Sequence, residues 1–242
     1  NQVDKKTGLQ LISLYGTNKK PTKSQLDGLE VLVFDIQDVG VRFYTYISTL
    51  HYVMQACAEN NIKLIVLDRP NPNGSYVDGP VLDTNFTSFV GMHPVPIVHG
   101  MTIGEYAKMI NGEGWLGNDL VTDLKIIPLA NYSHDSYYSL PVPPSPNLRS
   151  DLSIQLYPSL CLFEATTVSI GRGTEFPFEI YGHPAFKSES YSFVPKSSFG
   201  AKSPKMEGET CKGYRLSNND LSFPRRFELS FLINSLYTIF KR

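Results

Sequence analysis

Acidic side chains stand at the ends of two apolar runs in the sequence. Asp35 and Asp38 close the run over residues 30–36, and Asp68 follows the run over residues 62–67. If both runs are strands of an open parallel sheet, ligands should bind in the crevice at their carboxyl ends. Carboxylate, amide and guanidinium groups there could hold several sugar hydroxyls at once. The polar residues that follow the second run and would share this crevice are Arg69, Asn71 and Asn73.

These acids also have purely structural explanations. Asp35 and Asp68 could cap neighbouring helices or form ion pairs with Arg42 and Arg69. The sequence alone leaves the structural and the functional interpretation about equally supported.

A third group of polar residues precedes a predicted helix. Residues 102–105 read Thr-Ile-Gly-Glu, the pattern of a capping box ahead of an apolar helical run. We therefore expect Glu105 to cap the helix rather than to act on a ligand. His99 lies in the loop before this helix and is a better candidate for a binding site, although a structural hydrogen bond would explain it nearly as well.

Two arginines could hold an anionic group of a ligand. Arg42 stands with Tyr44 and Tyr46 in a loop ahead of a predicted helix, where the helix dipole favours anions. Arg172 lies within Gly-Arg-Gly-Thr at 171–174, which resembles an anion-binding nest of backbone amides. The alternatives are that the tyrosines pack in the core, that Arg42 contacts a nearby acid, and that residues 171–174 form a simple tight turn.

The composition argues against several classes of partner and site. The 22 basic and 23 acidic side chains leave a formal charge of −1, and no nucleic-acid or anionic-membrane partner is expected without a basic face. No stretch approaches the length of a membrane span. The three cysteines lack CxxC spacing, so neither a disulfide framework nor a zinc site is predicted. The Walker, nucleophile-elbow and H-E-x-x-H patterns are absent as well.

The order of the apolar patterns predicts an α/β fold. Residues 30–36 and 62–67 have the texture of buried parallel strands, and residues 47–60 between them have apolar residues at helical spacing. Strand, helix and strand in this order form a βαβ unit. Residues 124–128 predict a further strand.

The rest of the chain is predicted to form further helices, a long loop and a second domain. A helix should open at Thr102, residues 153–164 should form a helix or a strand, and residues 227–240 should form an amphipathic helix. Residues 139–151 are too rich in proline for regular structure. The residue pattern changes near residue 188 to one typical of strands and loops. This change predicts one domain over residues 1–188 and the start of a smaller α+β domain over residues 189–242.

Several motifs taken together resemble a known bacterial family. They read D-I-Q-D-V-G-V-R-F-Y-T-Y at 35–46, L-D-R-P-N-P-N-G at 67–74, H-G-M-T-I-G-E at 99–105, P-S-P-N at 144–147 and G-R-G-T at 171–174. In this order they are similar to the exo-β-N-acetylmuramidases, a glycoside hydrolase family long known only as a domain of unknown function. The resemblance covers nearly all of the chain.

The resemblance implies both a fold and an activity. The fold would be a Rossmann-like catalytic domain, a mostly parallel sheet with helices on both faces, joined to a smaller C-terminal domain across a cleft. The activity would be release of N-acetylmuramic acid from the non-reducing end of peptidoglycan fragments, without a cofactor. The partner would be a small muramyl sugar, and the site of action the periplasm or the extracellular medium.

The same resemblance predicts that the chain is truncated at both ends. Members of the family usually begin further upstream, with a Pro-Glu-His-Gly motif whose glutamate is a candidate acid, and nothing like it precedes Asn1. We therefore expect that this chain could lack one catalytic carboxylate and be inactive alone.

The resulting hypothesis assigns roles to thirteen residues. The candidate catalytic carboxylates are Asp35, Asp38, Asp68 and Glu164, although Glu164 could merely end a strand. The candidate substrate-binding residues are Arg42, Tyr44, Tyr46, Arg69, Asn71, Asn73, His99, Asn147 and Arg172, with Arg42 and Arg172 expected to hold the lactyl carboxylate. The alternative function is a non-catalytic module that binds muramyl sugars.

Overall fold

A computed structural model describes residues 2–187, 190–222 and 225–240. Among these residues, the helices and strands occur in the order β1 (Gln2–Val3), β2 (Gln10–Leu11), α1 (Lys23–Leu26), β3 (Val31–Phe34), α2 (Tyr46–Asn60), β4 (Lys63–Leu67), α3 (Ile103–Gly112), β5 (Leu124–Ile127), α4 (Asp151–Leu160), β6 (Ile180–His183), β7 (Tyr191–Phe193), β8 (Cys211–Arg215) and α5 (Ser230–Phe240).

The central sheet is parallel, with strand order β3-β4-β5. Val33 pairs with Ile65, and Ile65 pairs in turn with Lys125. The predicted βαβ unit is therefore confirmed as β3, α2 and β4, and α3 provides the second crossover to β5. Asn61 caps the end of α2; it adopts a left-handed conformation with φ of 54° and donates its backbone N–H to the carbonyl of Ala58.

Both crossover helices pack on one face of this sheet. Helices α2 and α3 contact each other and β4, and the core beneath them contains the buried side chains of Phe34, Leu64 and Val66. The α/β class and the parallel sheet are confirmed.

The opposite face of the sheet is more open than predicted. Val31, Val33 and Ile127 are 44%, 53% and 41% exposed. Strand β3 was predicted to be buried on both faces, which is wrong, because its side chains alternate between a covered and an uncovered face. Helices α2 and α3, which contact β4, lie on the covered face.

A second, antiparallel sheet has the order β6-β8-β7. Gly182 pairs with Gly213 at its centre, where a Cβ on Gly213 would lie 2.0 Å from the carbonyl oxygen of Tyr181. A second apolar core packs α4 against this sheet and against the loop that follows β3. The predicted domain boundary between residues 188 and 189 lies outside the described residues, and β6 and β8 pair across it.

The remaining predicted elements can be compared with the structure in turn. Helix α3 begins as predicted, with Thr102 as its N-cap. Residues 153–164, predicted to form a helix or a strand, form most of α4 and part of a 3-10 turn at Cys161–Ala165. The last helix begins at Ser230 rather than at residue 227. Among the described residues, no helix has the length and apolar character that crossing a membrane requires.

Candidate functional site

Two open grooves lie at the carboxyl ends of β3 and β4, and both are lined by Asp35 and Arg69. The first, which we call the proline groove, has a volume of about 350 Å³. Its other lining residues are Ile36, Gln37, Tyr46, Leu140, Pro141, Val142, Pro143 and Pro144. The second, which we call the tyrosine groove, has a volume of about 610 Å³. Its other lining residues are Leu67, Asp68, Pro70, Leu129, Ala130, Asn131, Tyr132, Ser136, Tyr137 and Tyr138.

An ion pair between Asp35 and Arg69 stands where the two grooves meet. The Nε and Nη2 atoms of Arg69 lie 2.7 Å and 2.6 Å from Oδ1 of Asp35. Both side chains are well exposed, at 44% for Asp35 and 40% for Arg69, and an exposed pair of this kind contributes only about 0–1 kcal/mol to stability. The pair therefore matches the structural alternative raised from the sequence, and it also remains accessible to a ligand.

Asp68 is occupied by the start of α3. Its Oδ2 accepts a hydrogen bond from the Thr102 hydroxyl at 2.9 Å, and its Oδ1 accepts one from the Gly104 backbone N–H at 2.8 Å. A Cβ on Gly104 would lie 2.8 Å from the Asp68 carboxyl carbon, so only glycine allows this close approach. A carboxylate at a helix N-terminus stabilises the helix dipole, and this is the capping role anticipated for Asp68. The predicted capping role of Glu105 is confirmed by its bond from the Thr102 N–H.

Asp38 and His99 lie behind the grooves, in the protein interior. Asp38 is 5% exposed and His99 is 4% exposed, and neither is among the residues that line the grooves. Burial raises the pKa of Asp38 to about 7 and lowers the pKa of His99 to about 3. Nδ1 of His99 accepts the Met101 N–H, so the proton of the neutral ring is on Nε2, which lies 3.9 Å from Oδ2 of Asp38.

Three buried polar atoms in this region lack a hydrogen-bond partner among the described residues. They are Oδ1 of Asp38, Nε2 of His99 and Oδ1 of Asn73. The other carboxylate oxygen of Asp38 accepts the Gly40 N–H at 2.7 Å and thereby holds the turn after β3. Asp38 and His99 can therefore position this turn, whereas direct contact with a ligand in either groove is not available to them.

Asn71 and Asn73 tie the loop after β4 to the loop after β3. The Asn71 amide donates to the Met101 carbonyl at 2.9 Å and accepts the Asn73 N–H at 2.8 Å. The Asn73 amide donates to the Val39 carbonyl at 2.9 Å and to the Ile154 carbonyl at 3.2 Å. Both side chains are buried. The structure therefore places Asn71 and Asn73, which were predicted to bind the substrate, beneath the site, where they hold its loops together.

The predicted residues around Arg42 divide between framework and groove. Nη1 of Arg42 donates to the carbonyls of Pro80 and Val95 at 2.7 Å and 2.6 Å. The Tyr44 hydroxyl donates to the Pro144 carbonyl at 2.8 Å and so fixes one wall of the proline groove. Tyr46 lines that groove itself, with its ring 5.1 Å from the Tyr44 ring.

Glu164, Arg172 and Asn147 lie beside the second core rather than at the strand ends. Nε of Arg172 lies 2.7 Å from Oε1 of Glu164, and the Asn147 amide donates to the Gly200 carbonyl at 2.7 Å. None of the three lines the two grooves. Beside them Lys205, which sequence reasoning missed, donates to the carbonyls of Phe163, Glu164 and Thr166 at 2.9, 2.7 and 2.6 Å.

Three of the five histidines, His51, His93 and His99, form a buried histidine cluster around Tyr106. Nδ1 of His51 lies 2.9 Å from Nε2 of His93, and Nδ1 of His93 lies 3.0 Å from the Tyr106 hydroxyl. The His99 ring contacts the Tyr106 ring edge-on at 4.9 Å. Burial lowers the pKa of His51 to about 4 and that of His93 to about 3. These rings are therefore neutral at pH 7 and serve as core residues.

The residues that sequence reasoning missed lie mainly in the tyrosine groove. Tyr132, Tyr137 and Tyr138 fall within seven residues between β5 and the proline-rich loop. This density of tyrosines was the available signal, since such residues supply an apolar ring and a polar hydroxyl together. Within the described residues, no group of three or more His, Cys, Asp or Glu could hold a metal ion.

Comparison with known proteins identifies the family. The family model described as "Exo-beta-N-acetylmuramidase NamZ, N-terminal" matches residues 1–152, and the corresponding C-terminal model matches residues 155–240. The peptidoglycan beta-N-acetylmuramidase NamZ of Bacillus subtilis (strain 168) is 42% identical over 234 residues, which cover 90% of this chain and 56% of that protein. The chain thus spans little more than half the length of this relative.

Solved structures agree with the sequence matches. A DUF1343 family protein from Bacteroides fragilis NCTC 9343 superposes with a TM-score of 0.93 at 48% identity, over 99% of this chain and 67% of that one. A second DUF1343 protein from the same organism gives a TM-score of 0.79 at 30% identity, over 99% of this chain and 68% of that one. The chain therefore belongs to the exo-β-N-acetylmuramidase NamZ family.

Proposed function

We propose that the protein is a glycoside hydrolase of peptidoglycan fragments that releases N-acetylmuramic acid from their non-reducing ends. The family and the activity named for the Bacillus relative support this proposal. The structural observation that carries it is the pair of grooves meeting at Asp35 and Arg69, at the carboxyl ends of parallel strands. We further propose that it acts in the periplasm or the medium, where such fragments arise.

Arg69 is the residue best placed to recognise the lactyl carboxylate of muramic acid. Among the described residues that line the two grooves it is the one cation. A guanidinium binds a carboxylate through two parallel hydrogen bonds, which gives orientation as well as affinity. Arg42 and Arg172, which the sequence suggested for this role, are engaged by backbone carbonyls and by Glu164.

Asp35 is the predicted catalytic carboxylate that lines both grooves without being held by a helix N-terminus. Arg69 bonds to Oδ1 of Asp35, which leaves Oδ2 to accept a hydrogen bond from a sugar. In sugars with a 2-acetamido group, the acetamido oxygen can itself attack the anomeric carbon. Asp35 would accept the acetamido N–H and so orient this group toward the anomeric carbon.

A second candidate function, a non-catalytic module that binds muramyl sugars, is favoured by one specific observation. Of the predicted acids, Asp68 caps α3, Glu164 pairs with Arg172, and Asp38 is buried behind the grooves. Glycosidases usually need two carboxyl groups at the scissile bond. Such a module would bind N-acetylmuramic acid without turning over a disaccharide that contains it.

The test is release of N-acetylmuramic acid from a β-1,4-linked disaccharide of N-acetylmuramic acid and N-acetylglucosamine. Release by the 242-residue chain, lost in Asp35→Asn and retained in the exposed control Glu113→Gln, would support the hydrolase. Binding without release would support the module. Absence of both binding and release would overturn the assignment of any muramyl sugar to this site.

A further inference from the structure

The tyrosine groove exposes aromatic surface that the fold does not use. Tyr137 is 71% exposed and Tyr138 is 42% exposed, although both belong to a segment that runs along the edge of the site. Exposed apolar side chains that cluster in a concave surface commonly mark a binding site. Tyr132 completes the set, and Asn131 and Ser136 add polar groups beside the rings.

Two of these rings are fixed before any ligand arrives. The Tyr132 hydroxyl accepts the Asn71 N–H at 3.2 Å and donates to the Asn71 carbonyl at 3.3 Å. The Tyr137 hydroxyl donates to Oδ2 of Asp151, the first residue of α4, at 2.5 Å. Because the hydroxyls hold the rings in place, little rotamer freedom is left to lose on binding.

The charges around this groove favour an uncharged ligand. Arg69 is the one cation among the described residues that line this groove, and the proposed function assigns it to the lactyl carboxylate of the muramic acid unit. The carboxylate of Asp68 is occupied by the start of α3, so the described residues along the tyrosines offer no second cation to a further anionic group. A sugar ring suits the groove better, because it has an apolar face for an aromatic ring and hydroxyls for Asn131 and Ser136.

We propose that the tyrosine groove binds the uncharged 2-acetamido sugar that follows N-acetylmuramic acid in the glycan. This inference rests on the proposed function and adds the site for the second sugar. The muramic acid unit then lies on the proline-groove side of Arg69, and the glycosidic bond crosses the Asp35–Arg69 pair. Tyr138 stacks on the second sugar, and Tyr132 and Tyr137 form the fixed wall beside it.

The experiment compares binding of two probes by isothermal titration calorimetry. The probes are N-acetylmuramic acid alone and its β-1,4-linked disaccharide with N-acetylglucosamine, the latter titrated quickly enough that cleavage is negligible. We expect the disaccharide to bind about tenfold more tightly than the monosaccharide, since each good aromatic contact contributes roughly a factor of ten. Tyr138→Ala should remove about that factor for the disaccharide and leave the monosaccharide unchanged.

Two further variants keep the result interpretable. Tyr138→Phe retains the ring and should bind both probes as the unmodified chain does. Tyr237→Ala removes a tyrosine that is 67% exposed in α5 and should also change nothing. Equal affinity for the two probes, unaffected by Tyr138→Ala, would overturn the second-sugar site and leave the proposed function standing. Failure of both probes to bind would overturn both.

Discussion

The turn after β3 leads to a sharp prediction about Gly40. This glycine has φ of +75°, and a Cβ added to it would lie 2.2 Å from Oδ1 and 2.3 Å from Nδ2 of Asn71. Asn71 cannot easily move aside, because it is 4% exposed and its amide bonds to the Met101 carbonyl and the Asn73 N–H. Gly40→Ala should therefore disturb the framework that joins the two strand-end loops.

The magnitude follows from two contributions. Holding alanine at positive φ costs about 1–2 kcal/mol. Displacing the Asn71 side chain leaves buried polar groups unsatisfied, at about 1–3 kcal/mol for each bond lost. With both bonds of the Asn71 amide lost, we expect Gly40→Ala to lower the free energy of unfolding by about 3–8 kcal/mol. Gly28→Ala is the matched control, because Gly28 has φ of +76° with no atom within 4 Å of the added Cβ, and it should cost only the first contribution.

Urea denaturation of the two variants measures this difference directly. A double-mutant cycle isolates the contribution of Asn71. In an Asn71→Ala background the added methyl group has room, so Gly40→Ala should lower the free energy of unfolding by no more than Gly28→Ala does. Equal destabilisation by Gly40→Ala and Gly28→Ala in the unmodified background would show that the contact with Asn71 carries no energy, contrary to this prediction.

Three further predictions concern the two cores. The three histidines of the buried histidine cluster are neutral in the folded protein but protonated in the unfolded chain below pH 6.5. Buried Asp38 behaves in the opposite way, because it holds a proton in the folded protein up to about pH 7. The folded protein therefore binds a net two fewer protons than the unfolded chain between about pH 4.5 and 6. The free energy of unfolding should therefore rise with pH there, by about 3 kcal/mol per pH unit in urea titrations, and a flat profile would contradict this. Asp38→Asn removes the opposing proton and should steepen the slope by about 1.4 kcal/mol per pH unit; an unchanged slope would mean that Asp38 is ionised in the fold. Lys205→Met leaves three carbonyls without their donor and should lower the free energy of unfolding by about 1–3 kcal/mol in the same assay. The exposed control Lys202→Met should change it by less than about 0.5 kcal/mol. Equal effects of the two substitutions would show that the three bonds are dispensable.

The sequence was sufficient where local pattern decides the structure. The βαβ unit followed from strand-length apolar runs on either side of a helical pattern, and the start of α3 followed from the capping box at Thr102. The crevice at the strand ends followed from the rule for parallel sheets, and it was found with Asp35 and Arg69 lining both grooves.

The sequence was insufficient where contacts between distant segments decide which side chain faces a ligand. Asn71 and Asn73 carry the polar groups of a sugar site, but bonds to Met101, Val39 and Ile154 hold them inside. The Arg42 guanidinium likewise donates its hydrogen bonds to the backbone carbonyls of Pro80 and Val95, which are distant in sequence. Nothing in the local pattern distinguishes these residues from Arg69, because the difference arises only when the loops fold together.

The tyrosine groove contains site residues that the sequence motifs did not predict. Its loop lies outside every motif that the sequence singled out, and it reaches the site because β5 pairs beside β4 and delivers the following segment to the same edge. Sheet order, which local pattern does not specify, therefore decides this part of the site.

The assignment of the muramyl sugar to the strand-end grooves is tested by titrating N-acetylmuramic acid into the unmodified chain, Arg69→Met and the exposed control Lys202→Met. We predict that Arg69→Met weakens binding by about tenfold or more, because a charge-assisted contact to the lactyl carboxylate contributes about 1.5–3 kcal/mol. Lys202→Met should bind as the unmodified chain does. Undiminished binding by Arg69→Met would place the muramyl sugar outside these grooves and contradict the assignment.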